Sequence, residues 1–169
     1  LSSHSGWRLW ITDGTAAGTK LLSSQLHDLS NVVSAGPFAF FAGVDTNGNE
    51  LWRTDGTVQG TRIFADIYSG SASSHPRAFA AESPSSFLML TTARFRDHEL
   101  RRVTPAGVQL VARMPNTQML DQMRRAGSSF YFADRSLMSA AVWTTDGTAR
   151  GTRKVATAAP WKLETISSL

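Results

Sequence analysis

The chain contains no cysteine. That absence excludes disulfides, thiolate metal sites and thiol nucleophiles, and it leaves the redox compartment open, since a chain without thiols has nothing to oxidise. Long hydrophobic runs are also missing. The longest, Phe38 to Val44, falls far short of the about 20 apolar residues that a helix needs to cross a bilayer, so no membrane span is expected. No segment shows a sustained 3.6-residue apolar period with caps; only Thr117 to Arg125 would pass for two helical turns on local propensity. His4, His27, His75 and His98 are scattered, without the paired spacing of a metal site and without a nucleophile motif beside them. No signal peptide is visible, and the chain opens on Leu1 rather than Met, so a processed product or a piece of something longer is expected.

What remains is the composition of a folded domain. Hydrophobic residues make up 41% and charged residues 18%, too apolar for disorder, and 169 residues fit one domain with a respectable core. The net charge of +4 is uneven: residues 1–92 hold five basic and seven acidic groups, residues 93–169 twelve and six. Such asymmetry can mark a polyanion-facing surface, but a solvated face explains it more simply.

One phrase organises the chain. Leu51-Trp52-Arg53-Thr54-Asp55-Gly56-Thr57-Val58-Gln59-Gly60-Thr61 returns as residues 9–19 and again as residues 142–152. Trp10 and Trp52 stand 42 residues apart and Trp52 and Trp143 91, which leaves room for a fourth copy that Glu99-Leu100-Arg101 fills. Self-similarity at this period is the mark of a repeat architecture. Each copy reads as a strand, an Asp-Gly turn, a Gly-Thr and a return strand, because Gly takes positive φ without steric cost and Asp bonds local backbone donors. The hairpins centre on residues 7–23, 50–67, 99–114 and 141–157.

Between hairpins lie apolar runs, Phe38-Ala39-Phe40-Phe41, Phe87-Leu88-Met89-Leu90 and Phe130-Tyr131-Phe132-Ala133, of the length and two-faced character of strands buried between stacked sheets. Weaker strands are expected at Asn31–Val33, Arg77–Ala80 and Met119–Met123. Four short antiparallel strands per repeat of about 45 residues make the blade of a β-propeller. The expected fold is therefore all-β: one repeat domain over residues 1–169, a propeller or propeller fragment of about four such blades.

The third copy is degenerate. Arg101 stands in the Trp position, and Thr104-Pro105-Ala106-Gly107 replaces the longer turn. The first copy lacks a preceding apolar strand: Phe38 lies 14 residues before Trp52, so the match for Trp10 would fall before residue 1. One blade is thus incomplete, and a longer parent chain or self-association is expected to close the ring.

Glu50 to Thr61 resembles the bacterial repeat family named for the string ELWxxDGT, whose long tandem arrays occur on exported proteins. Residues 50–61 match fully; residues 9–19 and 142–152 match from Leu9 and Val142 onward; residues 99–107 match only in Glu99, Leu100 and a glycine. The resemblance implies propeller-like β structure and an extracellular, periplasmic or cell-surface location, with no assigned chemistry. The turn is also similar to the Asp-box of sialidase-type propellers. That similarity implies structural roles: Asp13, Asp55 and Asp146 capping backbone N–H groups before Gly14, Gly56 and Gly147, and Trp10, Trp52 and Trp143 packing between strands.

The candidates for ligand contact are Trp7 and Trp161, which fall outside the repeated position, and, from the basic stretch of the degenerate third unit, Arg94, Arg96, Arg101 and Arg102. Asp45, Asn47 and Glu50 surround Gly48 with a spacing reminiscent of a small calcium loop, although a polar hairpin loop explains them equally well, and no metal or cofactor is expected. The Asp55-Gly56 turn is expected to need positive φ and the Gly48 loop not. Phe95 among the arginines gives a faint nucleic-acid flavour, but pairing with Asp97, Glu99 and Asp121 is simpler. The reading that follows is a non-catalytic binding or scaffold module for a protein or glycan. The alternative is a glycan-active hydrolase or lyase using Tyr68, Tyr131 and arginines on the axis.

Overall fold

A computed structural model describes residues 8–94, 97–117, 120–135 and 140–158. Among them every regular element is a strand. In chain order these are β1 (Leu9–Ile11), β2 (Lys20–Ser23), β3 (His27–Ala35), β4 (Phe38–Asp45), β5 (Gly48–Thr54), β6 (Arg62–Ala65) and β7 (Arg77–Ser83). Then follow β8 (Ser86–Arg94), β9 (Asp97–Thr104), β10 (Gly107–Met114), β11 (Leu120–Ala126), β12 (Ser129–Arg135), β13 (Ala140–Thr145) and β14 (Arg153–Ala158). Among the described residues no helix is long and apolar enough to cross a membrane.

The strands form antiparallel meanders: β1-β2, β3 to β6, β7 to β10 and β11 to β14. Among the described residues three blades thus have four strands, and the first shows the motif hairpin alone. The segment from Leu120 to Ala126 is a strand, not a helix, because its register against β12 supplies the pairing that local propensity left open. The first strands of the complete blades, β3, β7 and β11, lie against one another, whereas β6 and β10 approach only slightly. Blades that converge at their first strands and diverge at their last radiate from an axis, as in a propeller.

Register repeats even where sequence does not. Phe41 faces Trp52, Met89 faces Arg101 and Phe132 faces Trp143. Each first strand carries a bulge between Ser30 and Val33, Arg77 and Ala80, or Asp121 and Arg124, and within it Asn31, Ala78 and Gln122 take φ of 55°, 53° and 47°. A bulge bends and twists the strand that bears it, so the same bend recurs in every blade.

The core lies between blades. Phe40, Leu51 and Phe64 of the second blade meet Phe87, Met89 and Val103 of the third, with the Phe40 and Phe87 rings 5.2 Å apart. Leu88, Leu100 and Met114 of the third meet Met123, Phe130 and Phe132 of the fourth. Each run that is apolar on both faces is explained: alternate residues belong to opposite junctions.

Candidate functional site

The repeated turn is a closed hydrogen-bond circuit. In the second copy Asp55 Oδ1 accepts from Thr57 N (2.9 Å) and from Thr57 Oγ1 (2.7 Å). Gly60 N donates to Thr57 Oγ1 (2.9 Å) and Gly56 N to Thr54 Oγ1 (3.0 Å). The Thr61 hydroxyl donates to Thr57 O (2.6 Å), which leaves Thr61 Oγ1 to accept from Thr54 at 2.7 Å. Every threonine hydroxyl therefore donates once and accepts once. The same bonds join Thr12, Asp13, Thr15 and Thr19, and Thr145, Asp146, Thr148 and Thr152. These threonine bonds, side-chain first and backbone second, hold the carboxyls of Asp13, Asp55 and Asp146 below the usual carboxylate range.

Both glycines of the motif are explained. Gly14, Gly56 and Gly147 have φ between 86° and 90°, and a Cβ on Gly18, Gly60 or Gly151 would run into the aspartate side chain of its own turn. The connection is a seven-residue loop, 55–61, rather than a two-residue Asp-Gly hairpin. Gly48 overturns its expectation: its φ is 91°, and a Cβ there would lie 2.6 Å from Ala72 O.

The tryptophans occupy blade junctions to different degrees. Trp143 stacks on Phe132 at 6.3 Å and joins the core shared with the third blade. Trp52 lies over Gly43 beside Leu26, while Trp10 is 52% exposed. The side chain after the tryptophan braces the next turn: Ile11 abuts Gly56, and Arg102 Nη2 donates to Gly147 O at 3.0 Å. Arg102 also holds Glu82 through Nε at 2.7 Å and Nη2 at 2.5 Å, so that it links the third blade to the turn of the fourth.

The motif's glutamate works at the opposite end, where the crossovers between blades gather. Glu50 is fully buried; Oε1 accepts from Ser74 N (2.8 Å), and Oε2 from Ile67 N (2.9 Å) and Ser74 Oγ (2.7 Å). It fastens the crossover from β6 to β7, and burial pushes its carboxyl up despite these donors. Asp45 is occupied separately, by Asn47 N at 2.7 Å and Asn47 Nδ2 at 2.9 Å. Asp45 and Glu50 are thus held by separate sets of donors.

In the third blade the same position builds something else. Glu99, 3% exposed, receives the Tyr68 hydroxyl on Oε2 at 2.8 Å and the Arg101 guanidinium on the same oxygen, while Arg113 Nε lies 3.3 Å from Oε1. Arg101 also reaches Thr91 Oγ1 and sits 5.9 Å over the Tyr68 ring. Burial, then the bond to Glu99, pushes the Tyr68 phenol up. Beside this cluster opens a cleft of about 510 Å³ lined by Tyr68, Ala93, Asp97, His98, Arg113 and Pro115 as well as Glu99. His98 is buried, and its Nδ1 lies 2.7 Å from Thr117 Oγ1. Because that hydroxyl donates to Met114 O at 2.8 Å, Nδ1 carries the proton of the neutral ring. Burial, then the Arg77 charge, lowers the imidazole to about 4.

The structure thus separates neighbours in sequence: Arg101 joins the Glu99 network on one face of β9 and Arg102 the Glu82 and Gly147 network on the other, as alternate strand residues do. Arg94 ends β8, whereas Arg96, Trp7 and Trp161 lie outside the described residues. The grouping of Tyr68 with Glu99 escaped sequence reasoning because the two are 31 positions apart; the degenerate third copy was the available signal.

A chain from the crystal structure of the Nidogen/Laminin Complex is similar in fold, with a TM-score of 0.54 and 10% sequence identity. The likeness covers 83% of this chain and 53% of that one, so this chain spans about half the length of the solved structure it matches. No model of a known protein family matches the chain, and no curated protein matches it in sequence. The fold is that of an open β-propeller segment.

Proposed function

We propose that this chain is a non-catalytic binding module that presents the crossover end of its blades to a protein or glycan partner. The observation that carries the reading is the cleft beside Glu99, where Tyr68, Arg101 and Arg113 converge on one buried carboxylate in the blade that has lost the turn motif. Arg113, with a side chain 75% exposed, offers hydrogen-bond donors outward, and the Tyr68 ring offers an apolar wall. A glycan carboxylate or an acidic protein loop fits such a rim. Support for a protein partner is that the similar solved structure comes from a complex of two proteins.

The chemistry favours binding over hydrolysis. Tyr68 gives its proton to Glu99 in a hydrogen bond and its phenol is pushed up, which makes it a poor nucleophile at neutral pH. We further propose that the chain is a member of the ELWxxDGT repeat family and that it works outside the cytoplasm. Self-association is a further proposal, supported by Tyr131 and Val155 being 37% and 46% exposed where their counterparts Phe40 and Phe64 are covered by the following blade. Sedimentation over a concentration series tests it.

An array of neutral and acidic oligosaccharides and acidic peptides tests the binding site. A ligand should be retained by the parent chain and lost at least fivefold in Arg113→Ala and Tyr68→Phe at unchanged melting temperature. Turnover of any polysaccharide that disappears with Glu99→Gln would sink the non-catalytic reading.

A further inference from the structure

The first hairpin leaves a slot. In each complete blade the third strand is paired on both sides: β5 by β4 and β6, β9 by β8 and β10, β13 by β12 and β14. Its counterpart β1 pairs with β2 alone, through Trp10 opposite Leu21 and Ile11 opposite Lys20. The backbone edge at Leu9–Ile11 is therefore free among the described residues. Next to that edge lies a groove of about 520 Å³, lined chiefly by apolar groups that include Trp10, Ile11, Val32, Ala39 and Phe41. Trp10, Ile11 and Val32 are 52%, 38% and 72% exposed, the first and last being among the largest apolar exposures of the molecule.

We infer that this edge and groove bind an extended apolar strand of a partner polypeptide, laid antiparallel to β1. The three complete blades define what the strand must look like. The residue opposite the tryptophan position is large and apolar each time: Phe41, Met89 or Phe132. The residue before it is Phe40, Leu88 or Tyr131, and its side chain turns to the other face, where Phe40 and Leu88 meet the following blade. In the junction between the second and third blades that side chain, Phe40, meets Phe87 at 5.2 Å. The register counterpart of Phe87 beside the slot is Ala39, so an aromatic residue of the incoming strand finds more room there. The required pattern is two consecutive large apolar residues, one opposite Trp10 and one entering the groove. Main-chain bonds to the β1 edge would supply affinity and the two side chains selectivity.

The test uses the full chain and a fluorescein-labelled peptide of residues 37–45, Pro-Phe-Ala-Phe-Phe-Ala-Gly-Val-Asp, which has this pattern. A saturable rise in anisotropy is expected. Phe41→Asp in the peptide should weaken binding at least tenfold, and so should Trp10→Asp or Val32→Asp in the chain. Both chain positions are exposed, so folding should survive, as an unchanged thermal transition will verify. Val58→Asp, also exposed but not among the residues that line the groove, should change nothing. Equal binding of a scrambled peptide, equal binding by Trp10→Asp, or no saturable binding would each overturn the inference. A chain whose solution mass halves in Trp10→Asp while peptide binding is unmoved would assign the slot to a second copy and overturn it as well. None of these outcomes touches the Glu99 cleft, which lies at the third blade.

Discussion

The second and third blades share a register and differ in what holds them. In the second, Glu50 closes on the backbone of the crossover and Asp55 on the backbone of the turn, so the motif ties the blade to itself. In the third, the loop is shortened to Pro105-Ala106 with Thr104 facing Gly107, and Glu99 is held by side chains from three elements. A self-contained set of bonds has been exchanged for one that opens on a cleft. Yet the outer strand of each blade keeps its bulge, after Leu51, Val142 and Leu9 and likewise at Leu110 to Ala112. Inter-blade packing thus maintains blade shape where the motif is gone, and that frees the third blade's crossover end for another task.

Replacing the two glutamates breaks the comparison most directly. Glu50→Ala strands three donors in a fully buried position and is expected to cost about 3–5 kcal/mol, whereas Glu99→Gln keeps an acceptor for Tyr68 and is expected to cost about 1–2 kcal/mol. Urea denaturation of both variants measures the gap; equal midpoints would mean that the cleft network is as structural as the crossover anchor.

A pH profile isolates the third blade next. With His98 lowered from 6.5 to about 4, the unfolded chain binds the proton first, so stability falls as pH drops from about 6.5 towards 4, by about 3 kcal/mol in all. Glu50, raised, titrates in the opposite sense, its contribution being lost as pH rises through the raised value. Comparing the parent with His98→Gln cancels that contribution, and the loss between pH 7 and 4.5 should shrink in the variant. A profile of unchanged steepness would show that His98 is not the group responsible.

Gly60→Ala places a Cβ against Asp55 and should cost about 2–3 kcal/mol, while Gly107→Ala meets no atom within 4 Å and pays only its φ of 138°, about 1 kcal/mol. Melting curves that rank them the other way would refute the account of the motif's second glycine. The smallest effect belongs to Arg113→Ala. Its exposed contact with Glu99 is worth at most about 0.5 kcal/mol, so stability should hold while ligand retention falls.

Much of this was legible in advance. Strands such as Phe38–Phe41 announce themselves by apolar runs between turn residues, and the hydrogen-bonding circuit needs only residues within one stretch of eight, Thr54 to Thr61. Gly48 misled because its crowding comes from Ala72, far along the chain. Arg101 and Arg102 read as one basic patch, but strand alternation sends them to opposite faces of the sheet and into separate networks.

The sequence by itself determined the repeat, its strands and the chemistry of its turn, because those depend on local spacing and on side chains reaching their own backbone. Only the tertiary structure decided that Tyr68, Glu99 and Arg113 form one cleft, that Arg102 reaches the turn of the next blade, and that a groove opens beside the β1 edge. These depend on which strands become neighbours around the axis, and that is settled by packing between blades rather than by any spacing along the chain.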